Sequence, residues 1–229
     1  MILDVVIPVG PGHLDVSREC MTSVQNAWDR SHGPFTSMSC RAVYDLQGKY
    51  GRCWARNLGI ANAPNADWYF LIDADDVIHV DAFELFKLPN NHTRAVFGAV
   101  CTDRHGIIRH NVYPCSWEQI MQHGANKTLS TGAFFSGPET RGLGFLEDID
   151  SGEDFEFYLA FLSQHDHIKL QHPLVTARLD VPSATGPRSS SPDWQKACKP
   201  FIDFWHKRGR MPLSSKERSL KNYWLASSC

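Results

Sequence analysis

The fold of this chain is decided by residues 67–76, DWYFLIDADD, where five apolar residues run directly into three carboxylates. A continuous apolar run of this kind is typical of a strand that is buried on both faces. In an open α/β sheet, the carboxyl ends of the strands form the crevice in which ligands bind. We therefore predict that the three carboxylates line a binding site. They are Asp73, Asp75 and Asp76.

The same carboxylates predict a divalent cation. Negative charges so close together repel one another, and a hard cation such as Mn²⁺ or Mg²⁺ offsets that repulsion. Such an ion typically takes one or two protein carboxylates and completes its shell with phosphate oxygens of a substrate. The alternative is a solvated acidic turn that caps a helix at residues 80–88.

Two strand–helix units precede this strand. Apolar periodicity predicts strands at 2–8 and 39–46 and helices at 14–30 and 50–63. Such βα units in succession predict an α/β fold with a mostly parallel central sheet flanked by helices. The second half of the chain is less regular. Its predicted elements are strands at 94–101, 107–113 and 168–177 and helices at 116–123, 153–165, 193–207 and 214–225.

Length and composition limit the possible classes of protein. The 229 residues suit one α/β domain with a short appendage, and 42% hydrophobic with 21% charged residues excludes a disordered chain. No apolar run approaches the roughly 18 residues expected of a membrane span. The seven cysteines are odd in number and form no C-x-x-C pair, so we expect reduced thiols in a cytoplasmic protein.

Charge is distributed unevenly along the chain. Residues 194–229 carry eight Lys or Arg and two acidic residues, a net charge of +6, whereas the other 193 residues carry 15 basic and 23 acidic residues, a net charge of −8. This tail predicts a polyanionic partner, either an anionic membrane surface, bound peripherally, or a nucleic acid. The alternative is that the aromatic residues of the tail pack onto the domain while its lysines stay solvated.

Two enzyme families share an apolar strand followed by Asp-x-Asp. Residues 69–77, YFLIDADDV, match the nucleophile motif of haloacid-dehalogenase-like phosphatases, with Asp73 and Asp75 as the motif pair, but that motif normally ends the first strand of its domain. Over residues 3–180 the chain resembles family 2 glycosyltransferases of the GT-A fold. The segments that carry this resemblance are DVVIPV at 4–9, ARNLGIA at 55–61, DWYFLIDADD at 67–76 and GEDFEF at 152–157.

The resemblance implies a GT-A domain over residues 1–192, with a nucleotide-sugar half over about 1–100 and an acceptor half over about 101–192, and a basic helical appendage at 193–229. It implies a metal-dependent inverting transferase that moves a sugar from a nucleotide-diphosphate sugar, most often a UDP-sugar, to an acceptor hydroxyl. The acceptor would be a saccharide, a lipid-linked saccharide or a modified nucleic acid. A non-catalytic domain that binds nucleotide sugars is a further alternative.

The resemblance also assigns roles on the donor side of the site. Pro8 would approach the nucleotide, and Asp45 would contact its base unless it is an ordinary turn residue. Arg52 and Arg56 lie one helical turn apart on one face, where they would approach the diphosphate or pair with acidic neighbours. Asp73 would face the ribose.

The remaining roles concern the metal and the acceptor. Asp75 would bind the ion, and Asp76 would orient Asp75 or hold a metal-bound water. Asp180 stands near the position where many relatives carry a metal-binding His; it could replace that His, or the ligand is missing from this chain. Asp154 would be the general base that inversion requires, and Glu153 would orient the acceptor or share the proton.

Overall fold

The computed structural model of the chain describes residues 1–112, 116–123, 128–149, 151–181, 192–213, 217–219 and 222–223. Six strands form its central sheet: β1 (Ile2–Val9), β2 (Ser37–Tyr44), β3 (Trp68–Leu71), β5 (Thr93–Phe97), β8 (Ala133–Ser136) and β9 (Asp166–Lys169). Their spatial order is β2-β1-β3-β8-β5-β9. Only β8 runs against its neighbours, so the prediction of a mostly parallel central sheet is confirmed.

A second, four-stranded sheet lies beside the acidic cluster. Its strands are β4 (Val77–Ile78), β6 (Val100–Arg104), β7 (Ile107–Asn111) and β10 (Val175–Arg178), in the order β4-β10-β6-β7. Because β4 begins directly after the acidic cluster and pairs with β10, this sheet carries β10 to the edge of the cluster.

Helices cover both faces of the central sheet. They are α1 (Leu14–Arg30), α2 (Gly51–Ala61), α3 (Trp117–His123), α4 (Gly137–Leu143), α5 (Glu153–Leu162) and α6 (Pro192–Arg208). Alternate residues of β1 face opposite sides: Val5 belongs to the core cluster that includes α1, and Val6 belongs to the cluster that includes α5 and α6. Burial of both faces explains the continuous apolar sequence of β1.

Gly59 allows α2 to lie directly against β1. A Cβ atom at this position would come within 2.4 Å of Val6 Cγ1, so a larger residue would push the helix away from the sheet. The glycine of the ARNLGIA segment therefore has a packing role. It keeps α2 close to the sheet, with the first turn of the helix at the carboxyl ends of β1 and β2.

The structure corrects several predicted elements. Residues 81–85 form turns and no helix spans 80–88, because Phe83 and Phe86 pack into an aromatic cluster with Phe134 and Pro89 follows closely. The predicted strands at 94–101 and 168–177 are each divided between the two sheets. The strand β8 was not predicted, because its four residues are all buried and show no periodicity. The short helix α4 was also not predicted.

The first part of the basic tail packs on the domain. On α6, Trp194, Cys198, Phe201 and Trp205 join the same buried cluster as α5, and Tyr223 is also fully buried. This packing agrees with the alternative in which the tail aromatics cover the domain. The boundary at residue 192 stays a prediction, and most of the helix predicted at 214–225 lies outside the described residues. None of the described helices is long and apolar enough to cross a membrane.

Candidate active site

One cleft gathers the residues that follow β1, β2 and β3 together with the first turns of α2 and α5. These three strands are parallel neighbours, so their carboxyl ends meet at one edge of the sheet. All the predicted site residues line this cleft except Arg56, which lies behind it, and Asp180. The lining members of the set are Pro8, Asp45, Arg52, Asp73, Asp75, Asp76, Glu153 and Asp154.

The Asp45 carboxylate organises the loop that leads into α2. Its Oδ1 accepts a hydrogen bond from the backbone N–H of Lys49 (2.9 Å), and its Oδ2 accepts from those of Tyr50 (2.8 Å) and Gly51 (2.7 Å). Desolvation acts in the opposite direction, but these hydrogen bonds hold the pKa of Asp45 below its usual value. Asp45 is therefore a charged anchor of the cleft wall. Contact between Asp45 and a nucleotide base stays a prediction.

Two arginines of α2 bind the carboxylates around them. Arg56 is buried, and it donates to Glu153 Oε1 at 2.7 Å and to Asp73 Oδ1 at 2.5 Å. Arg52 Nε lies 3.1 Å from the same Glu153 oxygen. These ion pairs join α2 to the end of β3 and to the first turn of α5. The alternative of pairing with acidic neighbours is therefore observed, and contact with a diphosphate stays a prediction.

In the acidic cluster after β3, burial and neighbouring charges make ionisation of Asp75 and Asp76 unfavourable. Burial, followed by the charge of Asp73, raises the pKa of Asp75. Burial and the charges of Asp75 and Asp73 raise the pKa of Asp76 well above its usual value. One oxygen of Asp76 accepts a hydrogen bond from the backbone N–H of Arg178 (3.3 Å). Within the described part of the chain, the other oxygen is buried and has no hydrogen-bond partner.

These features fit a divalent cation. A bound cation would neutralise the mutual repulsion of Asp75 and Asp76 and would satisfy the buried oxygen of Asp76. Over the described ranges, no group of three or more His, Cys, Asp or Glu side chains forms a ready-made metal cage. Mn²⁺ and Mg²⁺ bound through one or two carboxylates complete their shells with water and phosphate oxygens.

Asp154 and the adjacent Glu153 differ in the groups that they bind. Glu153 pairs with two arginines, whereas Asp154 Oδ1 accepts only the backbone N–H of Phe155 (2.8 Å) among its hydrogen bonds to described residues. Burial, followed by the charge of Glu153, raises the pKa of Asp154 to about 6 despite the opposing charge of Arg56. A carboxylate that faces a cleft and titrates near neutrality has the properties of a general base.

Asp180 does not line the cleft with the other predicted ligands, although Leu179 and Val181 on either side of it do. Its carboxylate is 3.9 Å from Nδ1 of His105, on the turn between β6 and β7, and it does not line the cleft. Its role as a metal ligand stays a prediction that this placement does not support.

The sequence predicts no role for two basic side chains at the cleft, Arg178 and His13. Arg178 Nε donates to the backbone carbonyl of Asp75 at 2.5 Å, and among the described residues its buried Nη2 has no hydrogen-bond partner. His13 is buried in the cleft wall, where its charge lowers the pKa of Asp75. The turn after β1 could have indicated His13. Arg178 depends on the pairing of β10 with β4, which periodicity does not reveal.

The sheet order, the acidic residues at the end of β3 and the adjacent cleft define a GT-A fold. Solved glycosyltransferases of this fold superpose on nearly the whole chain.

TarS residues 1–349 of S. aureus, in complex with UDP-GlcNAc, matches 95% of this chain and 69% of its own length at a TM-score of 0.60 and 13% identity. The mannosyltransferase PcManGT of Pyrobaculum calidifontis, in complex with GDP-Man and Mn²⁺, matches 99% of this chain and 68% of its own length at a TM-score of 0.53 and 13% identity. No protein-family model and no curated protein sequence matches the chain. The similarity shows a shared fold.

Proposed function

We propose that the protein is a metal-dependent inverting glycosyltransferase, of the family 2 type, that uses a nucleotide-diphosphate sugar. The observation that carries the proposal is the position of Asp154, a carboxylate without an ion pair among the described residues, in the same cleft as the acidic cluster after β3. A transferase needs both features side by side. The acidic cluster would hold the cation that neutralises the departing diphosphate, and Asp154 receives the proton of the attacking hydroxyl.

On the donor side, Asp75 and Asp76 would hold Mn²⁺ or Mg²⁺. The bound ion supplies charge neutralisation to the departing diphosphate. Pro8 and Asp45 line the end of the cleft at β1 and β2, where a nucleotide would lie between the two strand ends. Asp73 keeps its ion pair with Arg56 while facing the ribose. A UDP-sugar is the proposed donor, in agreement with the UDP-GlcNAc bound to TarS.

On the acceptor side, Asp154 takes the proton of the acceptor hydroxyl. As that proton moves to the carboxylate, the hydroxyl oxygen forms a bond to the anomeric carbon of the sugar. The bond from that carbon to the diphosphate breaks on the opposite face, and its electron pair leaves with the diphosphate. Glu153 holds Arg52 and Arg56 in place during this step rather than exchanging the proton itself.

The acceptor is proposed only as a hydroxyl compound. The described arginines of the tail are used within the protein: Arg208 Nη2 donates to the Pro212 carbonyl at 2.8 Å, and Arg210 Nε donates to the Leu162 carbonyl at 2.9 Å. These contacts reduce the basis for a polyanionic acceptor. A phosphatase would need Asp73 as its nucleophile, and the ion pair of Asp73 with Arg56 gives that alternative no support.

Thermal shift with UDP and Mn²⁺ tests donor binding first. We expect UDP with Mn²⁺ to raise the melting temperature clearly more than UDP with EDTA, and inorganic phosphate with fluoride to have little effect. Stabilisation by phosphate and fluoride alone would support the phosphatase instead. Binding of UDP and Mn²⁺ without any hydrolysis of UDP-glucose, UDP-GlcNAc or GDP-mannose would indicate a non-catalytic domain.

A further inference from the structure

Two residues of the C-terminal segment, Arg218 and Tyr223, bind a buried carboxylate of α5. The guanidinium of Arg218 forms a bidentate pair with Glu156, at 2.8 Å from Nε to Oε1 and 2.6 Å from Nη2 to Oε2. The hydroxyl of Tyr223 donates to Oε1 of Glu156 at 2.5 Å. Glu156 is fully buried and Arg218 is 5% exposed, so water is excluded from the pair. A buried ion pair adds little net stability over an apolar contact of similar size, so stability alone does not account for this pair.

The same guanidinium reaches the end of α4. Its Nη1 donates to the carbonyl oxygens of Leu143 (2.8 Å) and Gly144 (2.6 Å). The next residue along the chain, Phe145, lies 5.1 Å from the guanidinium of Arg56, measured to the ring centroid. Arg218 therefore connects the end of α4, and through it the surroundings of Arg56, to the first turns of α5.

Asp154 lies in the first turn of α5, between two carboxylates that are held from different sides. Glu153 binds the arginines of α2, and Glu156 binds the C-terminal segment. The backbone of this turn is therefore fixed by one ion pair on each side of Asp154. Loss of either pair would remove one of the two contacts that hold this turn.

We propose that Arg218 is a positioning residue for the transfer reaction. It clamps Glu156 to the end of α4, and this clamp fixes the first turn of α5 so that Asp154 points into the cleft. The inference rests on the proposed function, because it gives Arg218 a purpose only if Asp154 acts as the base. Through this clamp, Arg218 and Tyr223, which follow α6 in the chain, become part of the catalytic unit.

The substitution Arg218→Lys tests the clamp, because it keeps the charge and removes the bidentate geometry. Arg210→Lys is the matched control, since Arg210 donates to the Leu162 carbonyl at the opposite end of α5. The readout is hydrolysis of whichever of UDP-glucose, UDP-GlcNAc and GDP-mannose the wild type cleaves fastest with Mn²⁺. We expect Arg218→Lys to lower kcat by about 10-fold to 10²-fold with an unchanged donor KM, the scale expected for misplacing a reacting group. Equal kcat in the two variants would overturn the proposal.

A second pair of variants separates positioning from stability. In Arg218→Met/Glu156→Leu both charges are removed together, so the melting temperature should recover relative to Arg218→Met alone. The positioning role predicts that kcat stays low in this double variant. Recovery of kcat together with the melting temperature would show that the clamp is only structural. Tyr223→Phe keeps both charges and removes one hydrogen bond to Glu156; we expect kcat to fall several-fold, and an unchanged kcat would count against the clamp.

Asp154→Asn distinguishes failure of this inference from failure of the proposed function. If Asp154→Asn is slow while Arg218→Lys is as fast as wild type, the base assignment stands and the positioning role is wrong. If Asp154→Asn is as fast as wild type, the proposed function itself is wrong, and the role of Arg218 falls with it.

Discussion

Replacement of Asp154 by Asn should stabilise the metal-free protein while stopping its chemistry. Burial and the charge of Glu153 raise the pKa of Asp154 from 3.8 to about 6. This difference in pKa corresponds to roughly 3 kcal/mol of unfavourable free energy for the ionised form of Asp154 in the folded state. The pKa of Asp154 is higher in the folded state than in the unfolded state, so the folded protein is favoured when Asp154 is protonated. This contribution of protonated Asp154 to stability is complete below about pH 4 and is lost as the pH rises through about 6.

Asn has no charge to desolvate, so Asp154→Asn should unfold at a higher temperature than wild type at pH 7.5 and at nearly the same temperature at pH 4. The gain should be at most about 3 kcal/mol. Donor affinity should be retained, and the transfer rate should fall by about 10²-fold to 10⁴-fold, the usual contribution of a general base.

Calorimetric unfolding at the two pH values, with single-turnover assays at pH 7.5, measures both effects. Glu153→Gln is the control, since it removes the carboxylate that pairs with Arg52 and Arg56 and should destabilise the protein by about 3–5 kcal/mol. Neighbouring carboxylates should thus give shifts of opposite sign. If Asp154→Asn unfolds at a lower temperature than wild type at pH 7.5, ionised Asp154 does not destabilise the fold; if the variant keeps its transfer rate, Asp154 is not the base.

Three further predictions concern the metal, the loop before α2 and the tail. Asp75→Ala should abolish Mn²⁺-dependent UDP binding, measured by calorimetric titration, and should leave the melting temperature unchanged or raised because it removes the repulsion between like charges. Full turnover in this variant would exclude Asp75 as a metal ligand. Asp45→Ala removes the acceptor of three backbone hydrogen bonds, so it should lower the free energy of unfolding by about 2 kcal/mol and weaken UDP binding. An unchanged UDP affinity would mean that Asp45 only holds the loop before α2 in place. Replacing Arg208 and Arg210 with Glu should lower the melting temperature because it breaks hydrogen bonds to backbone carbonyls, and it should not change binding to anionic vesicles or DNA across a salt series. A steep salt-dependent loss of binding would support the polyanionic partner again.

The sequence predicted the elements whose burial has a regular pattern. The apolar runs of β1 and β3 and the spacing of Cys20, Val24 and Ala27 on α1 follow from which faces the core covers. The carboxylate cluster could be placed because it directly follows a buried strand. Local pattern was therefore sufficient wherever a site residue is fixed by its own strand or helix.

Features that depend on distant residues could not be predicted in this way. The partners of Arg56 come from β3 and α5, and no periodicity relates them. The turns at 81–85 replaced a helix because aromatic packing with Phe134 outweighed local preference. Asp180 follows β10, which pairs with β6, and its carboxylate lies near His105 on the turn after β6 and is not part of the cleft lining.

The configuration of the sugar that is released first distinguishes an inverting transfer with Asp154 as the base from a retaining one. Proton NMR can follow hydrolysis of an α-linked nucleotide sugar, UDP-glucose or UDP-GlcNAc, in the presence of Mn²⁺ and can record the first anomer that forms before mutarotation. We expect the β-anomer to appear first, EDTA to stop its formation, and Asp154→Asn to form it at least about 10²-fold more slowly. Initial release of the α-anomer would exclude inversion, and an unchanged rate in Asp154→Asn would exclude Asp154 as the base.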